Sequence, residues 1–171
     1  MTATLTPEKP ADDAVELRPV VVHIRRIMVP LDFSDHSHKA LDYAVKLAEQ
    51  FGSEIEMVHV VTPVIYTEGM VLPAAMENLD QETEKNARKN LAKLAEREEV
   101  AALKHKTTVL TGTPYDEIVS HARDRETDLF FITTHGRTGL QHFLLGSTAE
   151  KILRHAPCPV MVVRDKEHEF V

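Results

Sequence analysis

The sequence predicts a doubly wound α/β sandwich of three layers, with a five-stranded parallel sheet between two layers of helices. Three observations carry that expectation. Short runs rich in Val, Ile, Leu, Phe and Met alternate with stretches whose apolar residues recur every three or four positions. The short runs are almost continuously apolar, as strands buried on both faces are. The segments between them are long enough to hold a crossover helix, and no repeat or interior linker interrupts the series.

The elements follow in order. Arg25–Phe33, "RRIMVPLDF", has an apolar core at Ile27–Val29 and then Pro30, which suits a strand end. The next stretch sets Leu41, Ala44, Ala48 and Phe51 on one helical stripe, with Ser34 or Asp35 as cap and Gly52 as the closing glycine. Glu54–Val61 is the second strand. Thr62–Asn78, with prolines, a glycine and no clear period, reads as a long loop.

A helix then runs to about Leu103, with Leu79, Thr83, Ala87, Leu91 and Leu94 on one side. Glu82, Lys85, Arg88, Lys89 and Lys93 form its solvated face. His105–Gly112 is the third strand. Thr113-Pro114 opens a helix with a hydroxyl at the N-cap and proline at the first position, turning Ile118, Val119 and Ala122 inward. "TDLFFITT" is the fourth strand. A helix from Ser147 to about His155 is stopped by Pro157, and Cys158–Arg164 is the last strand.

Bulk properties narrow the function. A chain of 171 residues fits one domain. A net charge of -7 with no basic stripe argues against a nucleic-acid partner. The single cysteine, Cys158, excludes an internal disulfide and a Cys-based zinc site, and fits a reducing compartment. Flanked by prolines, it reads as a small hydrophobe and not a nucleophile. No apolar run approaches the roughly 18–20 residues that span a bilayer. Residues 1–22 lack a basic and then apolar signal pattern and read as a flexible leader, leaving 23–167 as the domain. The expected location is the cytoplasm, with no membrane partner.

Open parallel sheets bind ligands outside the carboxyl ends of their strands, where strand order reverses. That rule selects Pro30–Ser34, Val60–Pro63, Gly112–Pro114 and Thr133–Ser147. The last region contains "THGRTGLQHFLLGST", which carries Gly136, Gly139 and Gly146, half of the chain's six glycines. Gly146-Ser147-Thr148 offers a helix start with unpaired N–H groups, a partial positive charge and two hydroxyl donors, a seat for an anion. Ser147-x-x-Glu150 fits a capping box. Gly136 and Gly139 let the loop curl its amides toward an anion, and His135 and Arg137 are candidate charge partners. The loop is neither a Walker loop nor a Rossmann glycine motif.

The ten histidines share no metal-ligand spacing. His36 and His38 read as surface residues and His59 as a satisfied core histidine, so no metal site is expected.

"IMVPLDFSDHSHKALDYAVKLAEQFGSEIEMVHVV" and "DLFFITTHGRTGLQHFLLGSTAEKILRHAPCPVMVVR" together resemble the universal stress protein family over about residues 24 to 165. The nucleotide-binding branch of that family carries G-x2-G-x9-G-[ST] after the fourth strand. Gly136 and Gly146-Ser147 match its second and third glycines and its hydroxyl, while Thr133 stands where the first glycine belongs. The resemblance implies strand order 3-2-1-4-5 and a cofactor, ATP or else AMP or ADP, with Mg²⁺ or Mn²⁺ as an optional companion. It implies that Pro30, Leu31, Asp32 and Val60 meet the base and ribose. Thr133, Gly136, Arg137, Gly146, Ser147 and Thr148 would border the ribose and phosphates. It also implies a homodimer through the last strand, Val160, Met161, Val162 and Val163.

Efficient catalysis is not expected. No committed general base accompanies the loop, so the upper limit is slow ATP hydrolysis. A phospho-receiver domain is rejected, since the third strand ends in Leu110-Thr111-Gly112 and not in an aspartate. The alternative is a homodimeric stress-associated interaction module that binds no nucleotide.

Overall fold

The computed structural model describes residues 23–63, 73–134 and 146–164, with backbone alone over 73–78. Expectations for the leader 1–22, for residues 64–72 of the long loop, for His135, Gly136, Arg137 and Gly139, and for the chain beyond Arg164 lie outside the described residues.

The described strands are β1 (Arg26–Pro30), β2 (Glu54–Val61), β3 (His105–Thr111), β4 (Leu129–Thr133) and β5 (Val160–Val163). They form one five-stranded sheet in the order β3-β2-β1-β4-β5, and every pairing is parallel. Between them run α1 (Asp35–Phe51), α2 (Pro73–Ala95), the short α3 (Glu98–Ala101), α4 (Pro114–Asp124) and α5 (Ser147–His155). The expected fold class and strand order are both present.

Strand alternation divides the core into two clusters. Ile27, Val29, Ile55, Met57 and Phe131 face α1 and α2. Met28, Val58, Phe130 and Ile132 face α4 and α5, meeting Ile118 and Ile152. Phe130 and Phe131 are consecutive, lie on opposite faces and are both 0% exposed. Burying a side chain of that size contributes about 1.5–3 kcal/mol, so β4 anchors both layers.

Several boundaries differ from expectation. The α1 stripe buries Leu41, Ala44 and Ala48, but Phe51 is 44% exposed. As the last helical residue it borders a groove with Arg25 and Lys104 at the amino ends of the strands, instead of lying over the sheet. The helix α2 begins at Pro73, inside the stretch expected as a loop; proline fits a first helical turn because its missing N–H would have no partner there. It ends at Ala95, not near Leu103, because Arg97 adopts an extended backbone and α3 starts anew. The Arg97 guanidinium pairs with Asp42 of α1 at 2.6 Å and with Glu99, which fixes the break.

Ala87 and Leu91 are buried, whereas Leu79 is 48% exposed and Thr83 is exposed, so only the carboxyl half of the α2 stripe reaches the core. The edge strand β3 is exposed over His105–Thr107 and is not doubly buried. It stops before Gly112, whose φ of 147° disfavours a side chain; a Cβ there would also come within 2.5 Å of Glu117 Oε1. The last strand is shorter than Cys158–Arg164, and the Pro159 carbonyl instead accepts from Phe130 N–H at 3.0 Å.

One charged group is buried toward the base of this core. Glu56, 5% exposed, accepts from Thr108 Oγ1 at 2.7 Å, His121 Nε2 at 2.7 Å and Arg125 Nε at 2.9 Å. Burial by itself raises its carboxyl, but hydrogen bonds from His121, Thr108 and Arg125 and the charge of His121 outweigh that and hold it below the usual carboxylate range. The cluster joins β2, β3 and α4. Among the described residues no helix is long and apolar enough to cross a membrane.

Candidate functional site

The sheet reverses its winding between β1 and β4, and the carboxyl ends of those strands open into a cleft of about 330 Å³. Clefts of that size admit small organic ligands. The wall toward α4 and α5 is apolar, built from Val58, Val60, Ile118, Ile132 and Ile152. The opposite rim is polar.

Of the site residues expected from sequence, Pro30, Leu31, Asp32, Val60, Thr133, Gly146, Ser147 and Thr148 all line this one cleft. Gly136 and Arg137 lie outside the described residues. No lysine or arginine is among the described residues lining the cleft. The described groups that could meet an anion there are helix-end amides and hydroxyls.

Asp32 belongs to the connection from β1 to α1. Its Oδ1 accepts from Ser34 N–H at 3.0 Å and from Ser34 Oγ at 2.6 Å. Ser34 Oγ in turn accepts from Ser37 N–H at 3.2 Å, which makes Ser34 the N-cap of α1. Asp32 thus braces the cap and does not cap the helix itself. A carboxylate so held presents a fixed acceptor at the rim.

The start of α5 is built differently. Gly146 is the N-cap, no side chain among the described residues caps the helix, and Ser147 is its first residue. The expected Ser147–Glu150 capping box is therefore absent: Ser147 lies one position too far along, and Glu150 bonds Arg154 at 2.9 Å. The Gly146 N–H donates to the Thr134 carbonyl at 2.8 Å, which ties together the two ends of segment 135–145. Gly146 has φ -66° and ψ 150°, which any residue adopts. Among the described residues, a Cβ there would meet the Thr134 carbonyl at an ordinary 3.7 Å. Among the described residues, nothing in the packing demands glycine at this point.

Thr133 pairs with Val163 in the β4–β5 ladder, and Val163 belongs to the cluster facing α1. Alternation gives the Thr133 side chain that same face, and the residue borders the cleft at the end of its strand. The side chain that replaces the first glycine of the motif is thereby directed away from the apolar wall.

His59 was expected as a satisfied core histidine, and its Nδ1 does donate to the Leu31 carbonyl, at 2.6 Å. It is only half-buried and borders the cleft. Ser37 and Ile152 also line the cleft, and the signal for each in the sequence is its helical spacing from Ser34 and from Thr148. Cys158 is half-buried, and burial together with the Asp128 charge pushes its thiol up to about 11, which suits a packing role. Among the described residues no group of three or more His, Cys, Asp or Glu is arranged to hold a metal ion.

A family model described as "Universal stress protein family" matches residues 23–164. The chain belongs to the universal stress protein family. A universal stress protein of Methanocaldococcus jannaschii is 32% identical over 145 residues, 85% of each chain. The solved structure of UspA from Lactobacillus plantarum superposes with a TM-score of 0.73 at 26% identity, covering 84% of this chain and 100% of that one. A universal stress protein family structure from Arabidopsis thaliana, solved with AMP bound, has a TM-score of 0.55 at 18% identity, covering 82% of this chain and 91% of that one. At that identity it shares the fold with this universal stress protein.

Proposed function

We propose that this universal stress protein binds an adenine nucleotide, ATP or else AMP or ADP, in the cleft between β1 and β4, and that it acts as a homodimeric stress-response regulator and not as an efficient catalyst. The observation that carries the reading is Gly146. It is a helix start at the ligand-binding edge that no described side chain caps, and its missing side chain has no packing explanation among the described residues. A ligand approaching the backbone supplies the explanation.

In this reading the phosphates rest on the first turn of α5, where the Ser147 and Thr148 hydroxyls donate and the helix dipole adds favourable charge. The apolar wall at Val60 takes the base. Asp32 accepts from a ribose hydroxyl, a role its fixed orientation suits and one that keeps its charge away from the phosphates. Gly136, by the motif it matches, and Arg137, as a charge partner in the same loop, complete the phosphate seat. Mg²⁺ or Mn²⁺, when present, offsets phosphate charge. The AMP held by the Arabidopsis protein of the same fold is the supporting parallel.

The dimer is proposed through β5. That strand ends the sheet, and its Val160, Met161 and Val162 are only half-buried. An apolar sheet edge of this kind favours pairing with a second copy. Light scattering at micromolar concentration is expected to give a dimer, and a monomer overturns that part.

Calorimetry on ligand-stripped protein tests the nucleotide. ATP is expected to bind, and Gly146→Val to weaken it at least about tenfold by filling the space over the α5 amides. Thr133→Gly is expected to change affinity little. Absence of adenylate uptake at millimolar concentration by folded protein overturns the reading in favour of an interaction module that binds no nucleotide.

A further inference from the structure

The turn that follows β1 contains an unusual conformation. Phe33 has φ 63°, in the left-handed region that aromatic residues rarely enter. Such a residue persists only where its surroundings over-determine it. The surroundings here come from β2. The Val58 carbonyl accepts from Leu31 N–H at 2.8 Å, and His59 Nδ1 donates to the Leu31 carbonyl at 2.6 Å. The His59 ring also lies against the Phe33 ring, with centroids 4.4 Å apart and planes at 32°. Alternation along β2 sets His59 on the same face as Ile55 and Met57, the face against which Phe33 packs. Both backbone groups of Leu31 and the ring of Phe33 are thus held from one pair of residues, and the next link in the chain is Asp32.

We propose that His59 is a positioning residue for the binding cleft: by clamping Leu31 and Phe33 it sets the turn from which Asp32 is presented. A carbonyl oxygen accepts and cannot donate, so His59 must carry hydrogen on Nδ1. The neutral ring is then the Nδ1–H tautomer. The effect passes along covalent bonds and short contacts from His59 to Leu31, Phe33 and Asp32, and then through Asp32 Oδ1 to Ser34 and the cap of α1. His59 borders the cleft, but the clamp acts through Leu31 and Phe33 and does not require His59 to touch a ligand. Only the affinity arm of the test rests on the nucleotide reading.

Two substitutions separate the parts of the clamp. His59→Phe keeps a ring against Phe33 and loses the donor. His59→Asn loses the ring and keeps a donor nitrogen close to the Nδ1 position. On the wild-type protein, nitrogen-15 NMR of the imidazole is expected to show the Nδ1–H tautomer; the Nε2–H tautomer overturns the proposal. Hydrogen exchange at the Ser34 amide, which reports its bond to Asp32, is expected to speed up about tenfold in His59→Phe and to return to within about threefold of wild type in His59→Asn. AMP affinity is expected to follow the same order. Unchanged Ser34 exchange in His59→Phe overturns the clamp. So does AMP binding that is equal in wild type and both variants. If Ser34 exchange responds as expected while even wild type binds no AMP, the clamp stands and the nucleotide reading falls.

Discussion

Of the helices that begin at the rim of one cleft, α1 and α5 have starts built in opposite ways. At α1 the first turn is closed by its own chain: Ser34 caps it, Asp32 braces Ser34, and Ser37 Oγ returns a hydrogen bond to the Ser34 carbonyl at 2.9 Å. At α5 the cap position is Gly146, no side chain among the described residues closes the turn, and the nearby Glu150 is engaged with Arg154. A capped terminus has used part of its anion-binding capacity internally, whereas an open one retains it. The difference assigns complementary tasks: the α1 start fixes an acceptor, and the α5 start leaves donors available.

The largest change expected lies away from both helix starts and serves as the control. Glu56→Gln removes a buried charge that His121, Thr108 and Arg125 all serve, and is expected to cost about 2 kcal/mol in chemical denaturation while leaving nucleotide affinity alone. The Glu56 carboxyl is depressed in the fold. Its stabilising contribution is therefore complete above its unfolded pKa, about 4.3, and is lost as pH falls through the lower folded value. The stability gap between wild type and Glu56→Gln should accordingly narrow below about pH 4. An affinity loss in this variant would mean that the two ends of the sheet are coupled.

Gly146→Asp bears on the comparison directly, by converting the open start into a closed one. Nucleotide affinity in calorimetry should fall at least tenfold, about 1.4 kcal/mol, from repulsion and from competition for the α5 amides. The melting temperature should hold or rise slightly, since an aspartate N-cap is a few tenths of a kcal/mol better than glycine. Loss of affinity together with loss of stability would deny that α5 is open by default.

Ser34→Ala opens the closed start. It is expected to lower stability by about 1 kcal/mol and to reduce affinity by a smaller factor, because Asp32 loses the Ser34 hydroxyl donor and keeps the Ser34 amide. Equal affinity in the variant would leave Asp32 as a structural brace alone. The smallest effect belongs to Phe51→Gln: despite its place on the α1 stripe, its exposure predicts a change below about 0.5 kcal/mol by denaturation.

Much of the fold was legible in local pattern. The strand Glu54–Val61 and the helix Ser147–His155 coincide with expectation because apolar alternation, flanking glycine and Pro157 mark their limits without help from distant residues. The end of α2 was not legible. Residues up to Leu103 keep helical composition, and the break at Arg97 depends on Asp42, 55 positions away. The candidate cleft was legible as a set of strand ends, since topology puts those ends together. The cap of α5 was misjudged, because Ser147-x-x-Glu150 has the right letters while the backbone sets the cap one residue earlier, at Gly146. Similarly, His59 within an apolar strand reads as filling, and only proximity to Leu31 and Phe33 discloses the clamp.

What the sequence determined by itself is the succession of strands and helices and the alternation that gives two buried faces, for these rest on spacing between neighbours along the chain. The motif from Thr133 to Ser147 belongs with them. Only the tertiary structure decided which helix start is closed and which is open, which face Thr133 takes, and what holds Phe33 at a positive φ. Those outcomes depend on contacts between segments brought together by the sheet, and a hydrogen bond is settled within a few tenths of an ångström, a precision that local propensity does not carry.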